Sequence, residues 1–503
     1  MTYHNPIIPG FHPDPSAIRV KDTYYLVTSS FNYFPGVPLF ESRDLLNWHQ
    51  IGHVLTRASQ LPLAGSNTHG GIYAPTLRYH AGRFYMVTTN VDHGGNFYVW
   101  TDDIHGEWSE PIPVEQGGID PSLYFEGDTA YFMSNGDDDA GKHGITQCEI
   151  DIATGKKLTP SRVIWTGAGG RYLEGPHLYR KDGWYYLIAS EGGTEYGHML
   201  VYARGKTPYG PFENFPGNPV LTNRNLGGYQ IQGTGHADLV DDGHGNWFLV
   251  HLAFRQLDRW TQHHTLGREV YLTPAKFDEA GWFTAGEDGT TRLAMSAKSL
   301  ADVKQAPAHD LTFANTQMGR EWVTLRDPQQ EHYAFDGTTL GLRPNGFALE
   351  EPAESPTALM IRQAHLNVTV SVRVETVKNL VGLTAYMEND QHYDIVVWQA
   401  DEALHVARRL RVGPALALDH ELTLPLQPVT LIMEADPDAY HLVVESGGQR
   451  HDLGSAQARF LSSEVAVNFT GVMFGLFAED NWHTPQWNTL TDFQYHITEA
   501  NHE

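Results

Sequence analysis

From Ser16 to about residue 298, apolar and polar residues alternate with period two in short runs broken by turns. Ser16-Ala17-Ile18-Arg19-Val20 alternates, Lys21-Asp22 turns the chain, and Thr23 to Ser29 alternates again around Tyr24, Leu26 and Thr28. This pattern predicts a hairpin. Val37 to Ser42 follows as a third strand and leads into Asp44-Leu45-Leu46-Asn47-Trp48, where the Trp closes the outer edge. The plan returns with Thr76 to Tyr79, Phe84 to Thr89 and Asn96 to Thr101, with Trp108 in the place of Trp48. It returns again at Ser122 to Phe125, at His177 to Tyr179 and at Ala237 to Val240, each followed by a second strand rich in aromatic residues.

Every repeat has a similar opening. The first is Phe11-His12-Pro13-Asp14-Pro15-Ser16, and the others begin at Ala74-Pro75, Asp120-Pro121-Ser122, Glu174-Gly175-Pro176-His177 and, without proline, Gly235-His236-Ala237-Asp238. Strand-built repeats of about 40 to 60 residues are the signature of propeller blades. Carboxylates that open several innermost strands would meet at one end of the central channel. Beyond residue 298 this plan stops. Residues 299–311, around Pro307, read as a linker, and residues 312–503 contain many short alternating strands at the spacing of a β-sandwich. The expected fold class is therefore all-β, with residues 1–298 as the propeller.

Composition narrows the partners. With 503 residues the chain exceeds one ordinary core. A formal charge of −26 argues against nucleic acid and anionic membrane, since phosphate recognition needs clustered Lys and Arg. A neutral partner fits better. Cys148 is the only cysteine, so there is no internal disulfide and no multi-cysteine zinc site. The first residues, Met1-Thr2-Tyr3-His4-Asn5-Pro6, have neither the basic nor the apolar region of an export signal, and the expectation is a soluble, cytoplasmic protein.

Three of the five openings place a carboxylate directly before Pro or Gly-Pro. Asp14 lies between two prolines, which restrict the backbone and remove two N–H donors. Taken singly, each acid also reads as a turn residue. Their recurrence at three blade heads favours chemistry, because inverting glycoside hydrolysis needs a base for water and an acid that holds a proton near neutrality. A third carboxylate near the acid would raise its pKa by like-charge repulsion.

The motifs Asp14-Pro15-Ser16, Phe31-Asn32-Tyr33-Phe34-Pro35-Gly36-Val37, Gly70-Gly71-Ile72-Tyr73-Ala74-Pro75, Asp120-Pro121-Ser122-Leu123, Glu174-Gly175-Pro176-His177 and Leu266-Gly267-Arg268-Glu269 occur in order along the chain. Together they resemble glycoside hydrolase family 43, in its two-domain β-xylosidase and α-L-arabinofuranosidase branch. The resemblance implies a five-bladed β-propeller followed by a C-terminal β-sandwich, inversion at the anomeric carbon and no required cofactor. It makes Asp14 the general base, Glu174 the general acid and Asp120 the modulator of its pKa. It also implies Phe31 as an aromatic wall of the terminal sugar site, Thr194 as a polar contact, Arg268 as a guanidinium on sugar hydroxyls and Phe469 as a sandwich residue over the mouth. His251 matches a histidine on the propeller axis that touches either a structural Ca²⁺ or a buried water cluster. The branch commonly forms homo-oligomers through the sandwich, and the same is expected here.

Two departures from the xylosidase pattern bear on substrate. Tyr73 stands where those enzymes have Trp, and Leu123 to Asn135 contains no Trp to flank a second sugar. The expectation is an exo-acting enzyme releasing terminal α-L-arabinofuranose from arabino- or arabinoxylo-oligosaccharides. The alternatives are a β-D-xylosidase or bifunctional enzyme and, from another class, a non-catalytic carbohydrate-binding propeller. His263-His264 lacks a third ligand at a metal spacing and reads as a pair of loop histidines.

Overall fold

The computed structural model describes residues 2–327, 329–480 and 484–498. The alternating runs form five four-stranded antiparallel sheets, each built from strands in chain order, with Tyr33–Phe34 leaving the first sheet between its second and third strands. Their first strands are Ser16–Val20, Thr76–His80, Ile119–Glu126, Glu174–Lys181 and Ile231–Asp241. These strands surround the axis, since side chains from four of them meet. Ser16 of blade 1 and Arg78 of blade 2 both bond Asp238 of blade 5, and Arg78 also reaches His177 of blade 4.

The propeller has no single core. Instead, each pair of neighbouring blades shares an apolar seam, for example Tyr85, Tyr98, Leu123 and Phe132 between blades 2 and 3. Blade 5 closes onto blade 1 through Val240, Phe248 and Leu272 against Leu26 and Phe40. Because both faces of a blade are covered, its second strand is apolar on both sides, as in Arg83–Asn90 and Trp184–Glu191. This explains the aromatic richness of the second strands. Thr2–His4 pairs with Ala294–Ser296 and ties the two ends of the ring.

The segment expected as a linker is held against the propeller. Leu300 packs into the seam between blades 5 and 1, and Gln305 exchanges two 2.7 Å hydrogen bonds with the backbone of His4.

The C-terminal part is a sandwich of two eight-stranded sheets around one large aliphatic core. One strand of the second sheet comes from the propeller. Tyr33–Phe34 pairs antiparallel with Val323–Leu325, in the register Thr324 to Phe34 and Leu325 to Tyr33. Behind this junction Phe11, Phe31 and Tyr33 pack with Met360, Tyr386 and Phe477 in a core common to both domains. Arg326 is 1 % exposed there, and its amide and Nε donate to the carbonyls of Asn32 and Ser66 at 2.7 and 2.6 Å. The sandwich is thus built onto the loop that carries Phe31, which fixes that loop.

Candidate active site

Four of the five blade openings share one backbone device. Asp14 and Asp120 have φ of 54° and 53°, and each directly precedes a proline at the opening of its blade. In blades 4 and 5 the same left-handed residue is Gly175, at 60°, and His236, at 45°. Outside glycine this conformation costs of order 1 kcal/mol or more and persists where surrounding contacts impose it. Glu174 is therefore one residue out of step with the two aspartates. The pairing slips between Glu174 and His177, as it does between Ile119 and Ser122, and such bulges re-aim side chains at a sheet end.

Asp14 is 6 % exposed. Its Oδ1 accepts from Arg268 Nη1 at 2.7 Å and its Oδ2 from Ser29 Oγ at 2.5 Å, while His236 Nδ1 lies 3.7 Å from Oδ1. Burial alone would raise its pKa. The charges of Arg268 and His236 and the Ser29 hydrogen bond outweigh burial and hold the carboxyl below the usual carboxylate range.

Asp120, 7 % exposed, accepts the Gly175 amide at 3.1 Å. Burial, then the neighbouring charges of Glu174 and Asp14, push its carboxyl well above the usual range. The carboxyl that burial and like charge push upward is thus Asp120, the residue that the resemblance makes the modulator of Glu174. Glu174 is the more open of the two acids facing solvent, with 19 % of its side chain exposed, and His198 Nε2 stands 3.3 Å behind its Oε1.

Arg268 is buried and joins several parts of the site. Besides Asp14 it donates to Thr194 Oγ1 at 3.0 Å and to the Phe469 carbonyl at 3.3 Å, and it lies under the rings of Phe31 and Phe469. Its sequence neighbour Glu269 bonds Arg255 instead, twice at 2.8 Å. Phe31, Tyr73 and Phe469 form one aromatic wall, with Phe31 centred 5.4 Å from each of the other two. Glu174, Thr194, Arg268 and Phe469 line a cavity of about 710 Å³, with Asp14 and Asp120 buried beneath it. The cavity can hold one ring against Phe469, near the Asp14 carboxylate and the Asp120 and Glu174 carboxyls, while Phe31, 1 % exposed, and Tyr73 pack behind Phe469 and do not line the cavity.

Residues 3–283 match the model of glycosyl hydrolases family 43, and residues 310–496 match that of the β-xylosidase C-terminal concanavalin A-like domain. The chain belongs to glycosyl hydrolase family 43. It is accordingly a glycosidase, with the five-bladed propeller and sandwich of its relatives. A non-reducing end α-L-arabinofuranosidase of Bacteroides ovatus is 36% identical over 95% of this chain and 92% of its own length. A xylosidase/arabinosidase of Butyrivibrio fibrisolvens is 35% identical over 99% of both chains. The solved structure of a xylan β-1,4-xylosidase from Bacillus halodurans has a TM-score of 0.88 and 31% identity, covering 98% of this chain and 99% of that one.

One expectation for this family 43 chain needs correction. His251 does not offer a ligand to an axial metal. Its Nε2 is 2.9 Å from Thr273 Oγ1, its Nδ1 is 2.9 Å from the Leu252 carbonyl, and its ring stacks on Tyr271. Burial lowers its pKa to about 4, so it is a neutral, hydrogen-bonded core histidine. On the axis itself Asp238 is saturated by Arg78 at 2.8 Å, Ser16 at 2.6 Å, the Ala17 amide at 3.2 Å and the Tyr179 hydroxyl. With the Asp238 oxygens taken by Arg78, Ser16 and Tyr179 and both His251 nitrogens taken within the protein, these residues do not fit the ion.

Sequence reasoning did not single out Ser29, His198 or His236. His236 had a signal, since it occupies the left-handed position of the fifth blade opening. Its ring also fills the space beside Gly175, where a Cβ would lie 3.0 Å from Cε1. His264, set aside as a loop histidine, lines the cavity and bonds Glu464 of the sandwich.

Proposed function

We propose that this family 43 enzyme is an exo-acting, inverting hydrolase that releases terminal α-L-arabinofuranose from arabino- or arabinoxylo-oligosaccharides. The observation that carries the reaction is the contrast between carboxyls. Asp14 is held ionised by Arg268 and Ser29, while Asp120, beside Glu174, is pushed toward its protonated form. In a single displacement Asp14 takes a proton from water as the water attacks the anomeric carbon, and Glu174 gives a proton to the departing oxygen. Asp120, which accepts the amide of Gly175 next to Glu174, is the neighbour that modulates this acid. Arg268 and Thr194 face the sugar hydroxyls, and Phe469 its apolar face. The exo mode follows from enclosure, because the loop bearing His264 and the sandwich segment bearing Glu464 and Phe469 wall the cavity.

The sugar is argued from the wall. Tyr73 presents a smaller face than Trp, and its hydroxyl is spent on the His69 carbonyl at 3.1 Å. An arabinofuranose needs less stacking surface than a pyranose followed by a second xylose. The relative from Bacteroides ovatus supports the same reading by its name. A β-xylosidase activity on xylo-oligosaccharides is the second reading, favoured by the Butyrivibrio relative, which matches along the whole chain. A carbohydrate-binding propeller without turnover has no use for a carboxyl pushed toward its protonated form beside an ionised base.

Side-by-side kcat/KM on arabinobiose and xylobiose tests the sugar, with the larger value expected for arabinobiose. Proton NMR of the first product tests the stereochemistry. Retained configuration would sink the single displacement.

A further inference from the structure

Most large aromatic residues near the acids are buried, but Tyr172 is 64 % exposed. It is two residues ahead of Glu174 and lines the same cavity. Its exposure is not slackness. The backbone at Tyr172 is left-handed, with φ of 53°, a conformation that a bulky residue adopts only under constraint. The constraint is visible on both sides. Upstream, the buried Glu191 carboxylate accepts the amides of Ala168 at 2.7 Å and Gly170 at 3.0 Å and pins the approaching loop. Downstream, Gly193 leaves room for the ring, since a Cβ there would sit 3.0 Å from Tyr172 Cδ2. The Arg171 guanidinium lies 5.0 Å from the ring centre, fixed by an ion pair to Glu195 and a 3.1 Å bond to the Gly192 carbonyl.

We propose that Tyr172 is the stacking platform for the leaving-group sugar and sets the enzyme's preference for that unit. This rests on the hydrolase reading above. The acid must lie beside the departing oxygen, so the leaving unit occupies the Glu174 side of the cavity, where Tyr172 is held. A rigid aromatic face pays little entropy on binding a neutral ring, and Arg171 adds donors for its hydroxyls. The platform stands on blade 4, whereas the missing Trp was sought on blade 3.

The test compares the wild-type enzyme with Tyr172→Ala and Tyr172→Trp, on the preferred disaccharide and on the corresponding glycosyl fluoride, which has no leaving sugar. For Tyr172→Ala the ratio of kcat/KM on disaccharide to that on fluoride should fall at least tenfold, about 1.4 kcal/mol, and Tyr172→Trp should restore it. An unchanged ratio overturns the proposal. Calorimetric titration of the disaccharide into Glu174→Gln and Glu174→Gln/Tyr172→Ala proteins reads the same contact without turnover. Tenfold weaker binding in the double variant is expected, and equal binding overturns the platform. If that difference appears in a protein whose wild type cleaves no pentoside, only the hydrolase reading falls.

Discussion

Arg268 donates to Asp14 Oδ1 at 2.7 Å and, from the same guanidinium, to the carbonyl of Phe469 at 3.3 Å. One side chain thereby holds the proposed base ionised and fastens the sandwich over the site. Its removal should act on both. With Arg268→Ala the burial of Asp14 is no longer offset, so its pKa rises and the acid limb of the kcat/KM profile moves to higher pH. Activity at neutral pH should fall about a hundredfold or more. An acid limb that stays in place would show that Asp14 is not the group titrating there.

The Asp120–Glu174 pair governs the other limb. The active form needs Asp14 ionised and the pair protonated, so the rate falls below the lowered pKa of Asp14 and above the raised value that Asp120 displays. Asp120→Asn removes one charge of the pair, and the basic limb should shift toward lower pH with kcat down about a hundredfold. Glu174→Ala should harm natural linkages far more than aryl glycosides, whose leaving groups need no proton. Equal losses on both substrates would contradict the acid role.

Much of this was legible in the chain. Alternation and blade openings located the propeller strands because their second strands are apolar on both faces and their openings carry proline. The three acids stood out as candidates for the same reason. The sandwich was less so. Ala415–Leu424 and Gln449–Gln457 are edge strands with largely exposed side chains, so burial leaves little pattern in their sequence. The pairing of Tyr33–Phe34 with Val323–Leu325 joins residues far apart in the chain, and no local pattern encodes it. His198 and Ser29 act through a third residue's side chain, which spacing alone does not show. Arg78 lies within the predicted strand Thr76 to Tyr79, and nothing local in the sequence shows that it pairs with Asp238 of blade 5.

That axial pair yields a stability prediction. Burial would raise the pKa of Asp238, but Arg78, His177 and the Ser16 hydroxyl bring it down to about 2 from 3.8. A carboxyl with a depressed folded-state pKa contributes stability that is present above about pH 4 and is lost as pH falls toward 2. Asp238→Ala should destabilise the protein by about 3 to 5 kcal/mol by stranding a buried guanidinium, and Arg78→Met in addition should recover part of this. Thermal unfolding of both variants measures it. Exhaustive chelation should leave kcat/KM unchanged, and a loss restored by Ca²⁺ would overturn the assignment of Arg78 as the axial cation.

The sandwich segment over the mouth is fastened at Glu464, and this gives the last prediction. Glu464 Oε1 accepts from Tyr196 at 2.9 Å and lies 2.7 Å from His264 Nδ1, and its Oε2 accepts the His264 amide at 3.0 Å. His264 in turn stacks on Phe254 at 3.8 Å. Burial opposes ionisation of Glu464, but His264 outweighs it and lowers the pKa to about 2, so the clamp stays charged throughout the working range. Beyond it, Val472 donates to the Thr265 carbonyl at 2.9 Å, and Gly471 crosses Gly267 so closely that a Cβ on Gly267 would lie 2.9 Å from the Gly471 Cα. Phe469 sits between these two fastenings. Losing a hydrogen-bonded charge of this kind costs about 1.5 to 3 kcal/mol, so Glu464→Ala should loosen Phe469 and raise KM about tenfold while changing kcat less than threefold. Glu464→Gln keeps one acceptor oxygen, for the Tyr196 hydroxyl or for the His264 amide, and should recover part of the affinity. Neither variant should move the pH limbs, because Glu464 touches none of the three acids. Steady-state kinetics across pH decide it: a KM unaltered in Glu464→Ala would show that the clamp does not position Phe469, and a shifted limb would show that Glu464 belongs to the proton-transfer machinery instead.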